Sequence, residues 1–184
     1  MCKRRIADNV YYHIGWLFFR FLFFTLRRAR VFGAEKLPPG SCILSPNHRS
    51  FTDPPLVGSC CNSQLNYMAK RELLSVPVLG FLFRKVNVFP VDRKSADIGA
   101  IKRALKILKD SGILVIFPEG TRIKKESAPP AASLRMGVGY FSCNARVPVV
   151  PVYLHNTGHF FSFKPIRIFF GDPVYPPENF TKND

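Results

Sequence analysis

The chain has 184 residues, of which 47% are hydrophobic, enough for one packed domain, and this composition excludes global disorder. Its net charge of +15 and pI near 10.0 indicate a polyanionic partner, either nucleic acid or an anionic membrane surface. The five cysteines form no CxxC pair, which indicates reduced thiols and argues against a disulfide framework or a zinc site.

The N-terminal segment is both aromatic and basic. Residues 1–36 carry eight Lys and Arg against two acidic residues, a net charge of +6. The apolar run Tyr11–Leu26 is shorter than the roughly 20 residues that span a bilayer, and Arg20 interrupts it. Tryptophan and phenylalanine flanked by arginine favour a helix that lies in one leaflet. We therefore predict an amphipathic, membrane-associating helix over residues 1–30, with a helix packed on the domain as the alternative.

From about residue 41 the chain alternates short apolar runs with helical patterns, which predicts an α/β fold. The predicted strands are Ser41–Ser45, Leu65–Ala69, Val86–Val91, Ile113–Phe117, Val147–Leu154 and Ile166–Phe170. Asp97–Asp110 is the clearest helix, because its apolar residues recur every three or four positions. Asp53-Pro54 predicts another helix start with Asp53 as N-cap. We expect residues 31–184 to form a single domain with a mixed, mostly buried sheet flanked by helices.

His48 and Asp53 follow the first predicted strand, within Asn47–Pro54. An imidazole titrates near neutrality and a carboxylate can hold its tautomer, so the pair predicts a general base and its orienting group. In one continuous helix five positions correspond to about 500°, so the two side chains would not share a face. They can meet only across a turn, which Asn47 and Ser50 favour. Taken alone, the pattern is weak, and a helix cap at Asp53 explains it better.

Three further signatures lie at the ends of predicted strands. Phe117–Arg122, with the sequence FPEGTR, follows a buried strand at the kind of position where open α/β sheets bind ligands. Its Gly120 permits close backbone approach, and Arg122 offers phosphate a bidentate fork. Arg93 ends the segment FPVDR after another strand. Val147–Val152, with the sequence VPVVPV, is an apolar strand whose two prolines indicate a sheet edge or a strand start.

Together, and in this order, the four signatures resemble those of the PlsC-type glycerolipid acyltransferases, the family that includes 1-acyl-glycerol-3-phosphate acyltransferase. The resemblance runs from about residue 31 to residue 174. FPEGTR is present letter for letter, beside NHxSxxD at Asn47–Asp53, a segment Gly80–Arg93 that ends in arginine, and a VPxxPV strand. The chain departs from many members at Arg135-Met136-Gly137, where they carry Lys-x-Gly.

The resemblance implies an O-acyltransferase that moves an acyl group from acyl-CoA or acyl-acyl-carrier protein to the free hydroxyl of a lysophospholipid. The expected acceptor is 1-acylglycerol 3-phosphate and the product phosphatidic acid. His48 would be the general base, with Asp53 orienting it. The residues expected to hold the acceptor's glycerol phosphate are Arg93, Glu119, Gly120, Thr121 and Arg122. Phe and Leu residues between Val76 and Phe83, with the strand Val147–Val152, would line the acyl chain.

The resemblance implies no metal and no cofactor beyond the acyl donor as co-substrate. The expected partners are anionic membrane lipids, the lysophospholipid acceptor and the donor, with no nucleic acid, at the cytoplasmic face of the cell membrane. Two alternatives stay open. One is a basic nucleic-acid-binding module, which explains the charge but not the aromatic N-terminus. The other is an acyltransferase acting on another lyso-lipid or on glycerol 3-phosphate.

Overall fold

The structure is a computed structural model that describes residues 9–92, 97–120, 137–158 and 164–179. Its strands form one seven-stranded sheet. In chain order they are β1 (Arg30–Phe32), β2 (Cys42–Pro46), β3 (Leu65–Lys70), β4 (Val88–Val91), β5 (Ile113–Val115), β6 (Val149–His155) and β7 (Arg167–Phe170). They lie in the spatial order β1-β7-β6-β2-β5-β3-β4. Every neighbouring pair is parallel except β6 and β7, so the predicted mixed sheet is confirmed.

The described α-helices are α1 (Val10–Arg20), α2 (Asp53–Cys60), α3 (Arg71–Leu74), α4 (Pro77–Lys85), α5 (Ile98–Lys109) and α6 (Gly137–Ala145). A π-helical segment, Phe21–Leu26, continues α1. The predicted helix Asp97–Asp110 is confirmed as α5, and Asp97 is its N-cap, accepting the Ala100 N–H at 3.0 Å. Pro77 begins α4, so the segment around it forms two short helices, α3 and α4.

Helices cover both faces of the central strands. Because side chains alternate along a strand, Leu44 of β2 packs in one core cluster with α2 and Phe23, whereas Ile43 packs in the other with α5 and α6. Both residues are fully buried. Burial on both faces explains why β5 and residues 42–44 of β2 are apolar without interruption.

β6 corrects one prediction. Val147–Val152 was expected at a sheet edge or a strand start, yet Pro151 lies inside β6, between β7 and β2. The Pro151 carbonyl accepts the Gly171 N–H at 2.9 Å, so its missing N–H faces the same side. The last regular pair between β6 and β7 is Val152 with Phe170, so Pro151 lies one residue outside the paired region. The proline therefore removes a hydrogen bond just beyond the paired region and leaves the ladder to β2 intact.

The N-terminal helix packs on the domain with its inner face. Tyr12 is 6% exposed and Phe23 is 1% exposed, and Phe23 belongs to the core shared with the sheet. The outer face is apolar and exposed, with Ile14 at 61% and Phe18 at 60%. Among the described residues, no helix combines the length and apolar character needed to cross a membrane. The alternative prediction, a helix packed on the domain, thus holds for the inner face of α1. Membrane association of its outer face stays a prediction.

Candidate active site

His48 and Asp53 form a hydrogen-bonded pair at the carboxyl end of β2. The His48 Nδ1 lies 3.0 Å from Asp53 Oδ2. The carboxylate side chain is fully buried, while the imidazole is 17% exposed. A proton on Nδ1 would be donated to the carboxylate, leaving the lone pair of Nε2 for a proton from elsewhere. Within the described part of the chain, Nε2 has no hydrogen-bond partner. The two residues predicted to meet across a turn do so.

The local structure explains why Asp53 faces the histidine. Thr52, not Asp53, is the N-cap of α2, and Asp53 is its first residue, so the helix begins one residue earlier than predicted. Pro54 and Pro55 have no N–H to offer a capping oxygen in this first turn. Asp53 Oδ2 instead accepts the N–H groups of Arg49 and Ser50, each at 2.6 Å, as well as His48 Nδ1. The carboxylate therefore shapes the loop that carries the base.

The FPEG segment after β5 lies directly against this base. The rings of His48 and Phe117 are 4.2 Å apart between centroids. Glu119 Oε2 accepts the backbone N–H of His48 at 2.9 Å. Partial burial raises the pKa of the Glu119 carboxyl above its ordinary value, and the hydrogen bond from His48 opposes that rise. Glu119, expected to hold the acceptor, is thus seen to hold the loop of the base.

Gly120 completes the turn that presents Glu119. Its N–H donates to the Phe117 carbonyl at 3.0 Å, and its φ of 66° lies in the left-handed region that glycine adopts without strain. Gly120 is buried. Its role in close backbone approach to a ligand stays a prediction.

Asn47, predicted only to favour a turn, also contributes to the site. Its side chain donates to the Leu154 carbonyl at 3.1 Å and accepts the Leu154 N–H at 2.6 Å. Its own N–H donates to the Val152 carbonyl at 3.3 Å. These bonds extend the pairing of β2 with β6 past the end of β2, so the residue before His48 is fixed to the sheet. The sequence feature that could have indicated this role is the position of Asn47 in the NHxSxxD motif.

Three predicted substrate-binding residues, Arg93, Thr121 and Arg122, lie outside the described residues, as does Arg135. Their placement therefore stays a prediction. On either side of residues 93–96, the Asp92 N–H donates to Asp97 Oδ2 at 3.0 Å. That bond joins the residue after β4 to the N-cap of α5.

The predicted acyl-chain walls divide into two kinds of surface. The β6 residues Val150 and Val152 are packed in the core, so they do not line an open groove. On α4, Val78 is 74% exposed and Phe81 is 49% exposed.

The described residues include no cluster of three or more His, Cys, Asp or Glu side chains arranged to hold a metal ion.

Known proteins of related sequence agree with the predicted enzyme class. The chain is 28% identical over 151 residues to a 1-acyl-sn-glycerol-3-phosphate acyltransferase of Bacillus subtilis. That alignment covers 79% of this chain and 73% of the relative. It is 30% identical over 137 residues to the enzyme of that name from Pseudomonas aeruginosa, covering 72% of this chain and 51% of that protein. The chain thus spans only about half the length of some of these relatives. Their names are those of O-acyltransferases, in agreement with the predicted enzyme class.

The fold agrees as well. The crystal structure of the 1-acyl-sn-glycerophosphate (LPA) acyltransferase PlsC from Thermotoga maritima aligns with a TM-score of 0.72 at 24% identity. The alignment covers 94% of this chain and 70% of that one, and it shows a shared fold. The sequence profile of the Acyltransferase family matches residues 28–155, which include β2, β5, the His48–Asp53 pair and the FPEG turn. From its sequence signatures, its sheet and this match, the chain belongs to the Acyltransferase family.

Proposed function

We propose that this chain transfers an acyl group from acyl-CoA or acyl-acyl-carrier protein to the free hydroxyl of 1-acylglycerol 3-phosphate, giving phosphatidic acid. The observation that carries the proposal is the His48–Asp53 pair, whose Nδ1–Oδ2 hydrogen bond of 3.0 Å leaves Nε2 for the acceptor hydroxyl. The names of the relatives supply the acceptor.

The reaction needs one proton to move twice. As the acceptor oxygen attacks the thioester carbonyl, Nε2 of His48 takes its proton, and a C–O bond forms. Asp53 stays ionised and stabilises the imidazolium across the Nδ1–Oδ2 hydrogen bond. Collapse of the tetrahedral intermediate breaks the C–S bond, and the leaving thiolate takes the proton back from His48. No acyl-enzyme is formed, and the only co-substrate is the acyl donor.

The acceptor phosphate would lie near Arg122 and Thr121, on the segment that follows the Gly120 turn, with Arg93 contributing from the end of β4. This arrangement is supported by the pairing of β2 with β5, which sets the FPEG turn beside His48. A guanidinium is suited to phosphate because its planar donors match two oxygens at once. Glu119, which bonds the His48 N–H, would connect the acceptor site to the base.

An apolar surface on α1, its π-helical continuation and α4 supports access to lipid. The exposed side chains of this surface are Val10, Tyr11, Ile14, Leu17, Phe18, Phe21, Val78, Phe81 and Leu82. Tyr11 and Phe81 join the two helices by an edge-on contact, with ring centroids 6.4 Å apart. Lys85 Nζ lies 5.3 Å from the Tyr11 ring, so a cation borders the surface. A face of aromatic and aliphatic side chains beside basic residues suits an anionic bilayer, at the cytoplasmic face of the membrane.

The alternatives have less support. A nucleic-acid-binding module accounts for the charge, but it does not account for a buried carboxylate bonded to a partly exposed histidine. The basic face of α5 carries Lys102, Arg103, Lys106 and Lys109, all exposed to solvent. On that face, Lys106 pairs with Asp110 at 2.7 Å and Arg103 lies over the Phe89 ring at 4.9 Å. Another lyso-lipid or glycerol 3-phosphate as acceptor is an outcome of the experiment below.

The test is an acceptor-by-donor panel with purified protein in anionic liposomes. Each of lysophosphatidic acid, other lyso-lipids and glycerol 3-phosphate is offered with acyl-CoA or acyl-acyl-carrier protein, and products are measured by mass spectrometry. We expect phosphatidic acid from lysophosphatidic acid, and a loss of about 10²–10⁴-fold in kcat for His48→Ala. His155→Ala, the same change at the end of β6, is the matched control and should transfer normally. Near-normal transfer by folded His48→Ala would refute the base assignment.

A further inference from the structure

The inner face of α1 carries three side chains with hydrogen-bond donors at a regular spacing. Tyr12, Trp16 and Arg20 are each four residues apart, so they lie in one row along the helix. All three donate to backbone carbonyls of one segment: Tyr12 Oη to Ser63 at 3.3 Å, Trp16 Nε1 to Cys61 at 3.0 Å, and Arg20 Nη1 to Ser59 at 3.1 Å. We call Tyr12, Trp16 and Arg20 the α1 clamp.

Two of these carbonyls, those of Ser59 and Cys61, are at the carboxyl end of α2, and the third, of Ser63, lies between α2 and β3. A helix leaves its last carbonyls without helical donors, and α2 ends at Cys60. Arg20 supplies one such donor at Ser59 and also places a positive charge at the negative end of the helix dipole. The arginine that seemed only to interrupt an apolar run therefore caps a second helix.

The clamp residues are themselves held in place. The Arg20 guanidinium lies 4.9 Å from the Trp16 ring centroid and 5.0 Å from that of Phe24. Tyr12 Oη also accepts the Leu65 N–H at 3.0 Å, so this hydroxyl joins α1 to the first residue of β3. Burial raises the pKa of Tyr12 to about 12, so its hydroxyl keeps its proton and remains a donor.

The opposite end of α2 carries Asp53. The helix has eight residues and is about 12 Å long, so its two ends move together. Its buried side chains Leu56 and Val57 are fully enclosed. Near Asp53, the Tyr67 hydroxyl donates to the Pro54 carbonyl at 2.9 Å. α2 is thus held by β3 at the end that carries Asp53 and by the α1 clamp at the other.

We propose that Tyr12, Trp16 and Arg20 are positioning residues for the reaction, which hold α2 so that Asp53 stays at hydrogen-bond distance from His48. The proposal rests on the proposed function, because it assigns the pair a catalytic task. Arg20 is the central member, since it alone combines a hydrogen bond, a charge and two ring contacts. A misplacement of about 1 Å remote from the reacting atoms is enough to lower a rate by about a hundredfold.

The experiment compares kcat and KM of Arg20→Ala, Arg20→Lys and wild type with lysophosphatidic acid in detergent micelles, where docking on a bilayer plays no part. We expect kcat to fall about tenfold or more for Arg20→Ala while KM for the acceptor changes less than about twofold. Arg20→Lys keeps a cationic donor and should recover part of the lost kcat. Arg28→Ala is the matched control, because Arg28 is exposed and outside the clamp.

A second control separates positioning from general loss of stability. Ile101→Val, in α5 against the other core cluster, should lower the Tm and leave kcat per folded molecule unchanged. If Arg20→Ala does not fold, Tyr12→Phe and Trp16→Phe carry the test, since each keeps a ring and removes the donor. The proposal fails if folded clamp variants keep wild-type kcat, or if Ile101→Val loses as much. Absence of transfer by the wild-type chain would refute the proposed function instead.

Discussion

Replacing Asp53 by Asn removes one charge from the buried pair and keeps the size of the side chain. The Asn oxygen can still accept the Arg49 and Ser50 N–H groups, which the Asp53 oxygen accepts at 2.6 Å each. What is lost is the attraction between the carboxylate and the imidazolium that forms when His48 takes the acceptor's proton. That attraction exists only after the proton moves, so its loss should lower kcat and leave the acceptor KM nearly unchanged.

The size of the effect follows from the geometry. With Nδ1 and Oδ2 3.0 Å apart, the centres of the two charges are separated by about 4 Å. At an effective dielectric constant of about 20, this separation gives an attraction of about 4 kcal/mol. Since each factor of ten in rate corresponds to about 1.36 kcal/mol, Asp53→Asn should lower kcat by about a thousandfold.

The assay is the release of free thiol from acyl-CoA in the presence of lysophosphatidic acid, followed with a thiol-reactive dye. Asp110→Asn makes the same change at an exposed carboxylate that pairs with Lys106, and it should transfer at the wild-type rate. Circular dichroism establishes that both variants are folded. A folded Asp53→Asn protein that loses less than about tenfold in kcat would refute the electrostatic reasoning.

Three further predictions concern stability. Gly120→Ala places a side chain at a φ of 66°, and it should lower the free energy of unfolding by about 1 kcal/mol and reduce kcat; an unchanged urea midpoint would contradict this. Tyr67→Phe leaves the Pro54 carbonyl without its donor and should cost about 1–3 kcal/mol in urea unfolding; a cost near zero would exclude that bond's role. The pKa of Asp97 is lowered, chiefly by the Asp92 and Ala100 N–H groups, so its stabilising effect is present above about pH 4 and is lost as the pH falls through the lowered value. Wild type should therefore lose stability more steeply in acid than Asp97→Asn, and parallel acid profiles would contradict this.

Periodic and apolar patterns predicted the elements that are buried on a regular face. α5 was predicted almost to the residue because its apolar positions repeat at helical spacing, and β5 because its residues are buried on both faces. β1 was missed, since it is a three-residue strand with no such repeat. Its pairing with β7 depends on a contact between residues more than 130 positions apart, which no local pattern contains.

The two local errors have one cause. Pro151 was predicted to lie at an edge or a strand start because a missing N–H disrupts a ladder, yet whether a bond is lost depends on where the pairing with β7 ends. Asp53 was assigned as an N-cap because its residue type favours that position. Its carboxylate turns to the preceding loop instead, where two N–H groups and an imidazole are available. In both cases the partner, not the residue type, decided the outcome.

The sequence by itself determined the chemical groups of the site and the strand ends on which they lie, because residue type and short-range pattern specify both. It also identified the family, through four signatures in a fixed order. Only the tertiary structure decided that β5 pairs with β2, which places Phe117 and Glu119 against His48. It likewise decided that Arg20 bonds the end of α2, since strand order and helix docking arise from packing between distant segments.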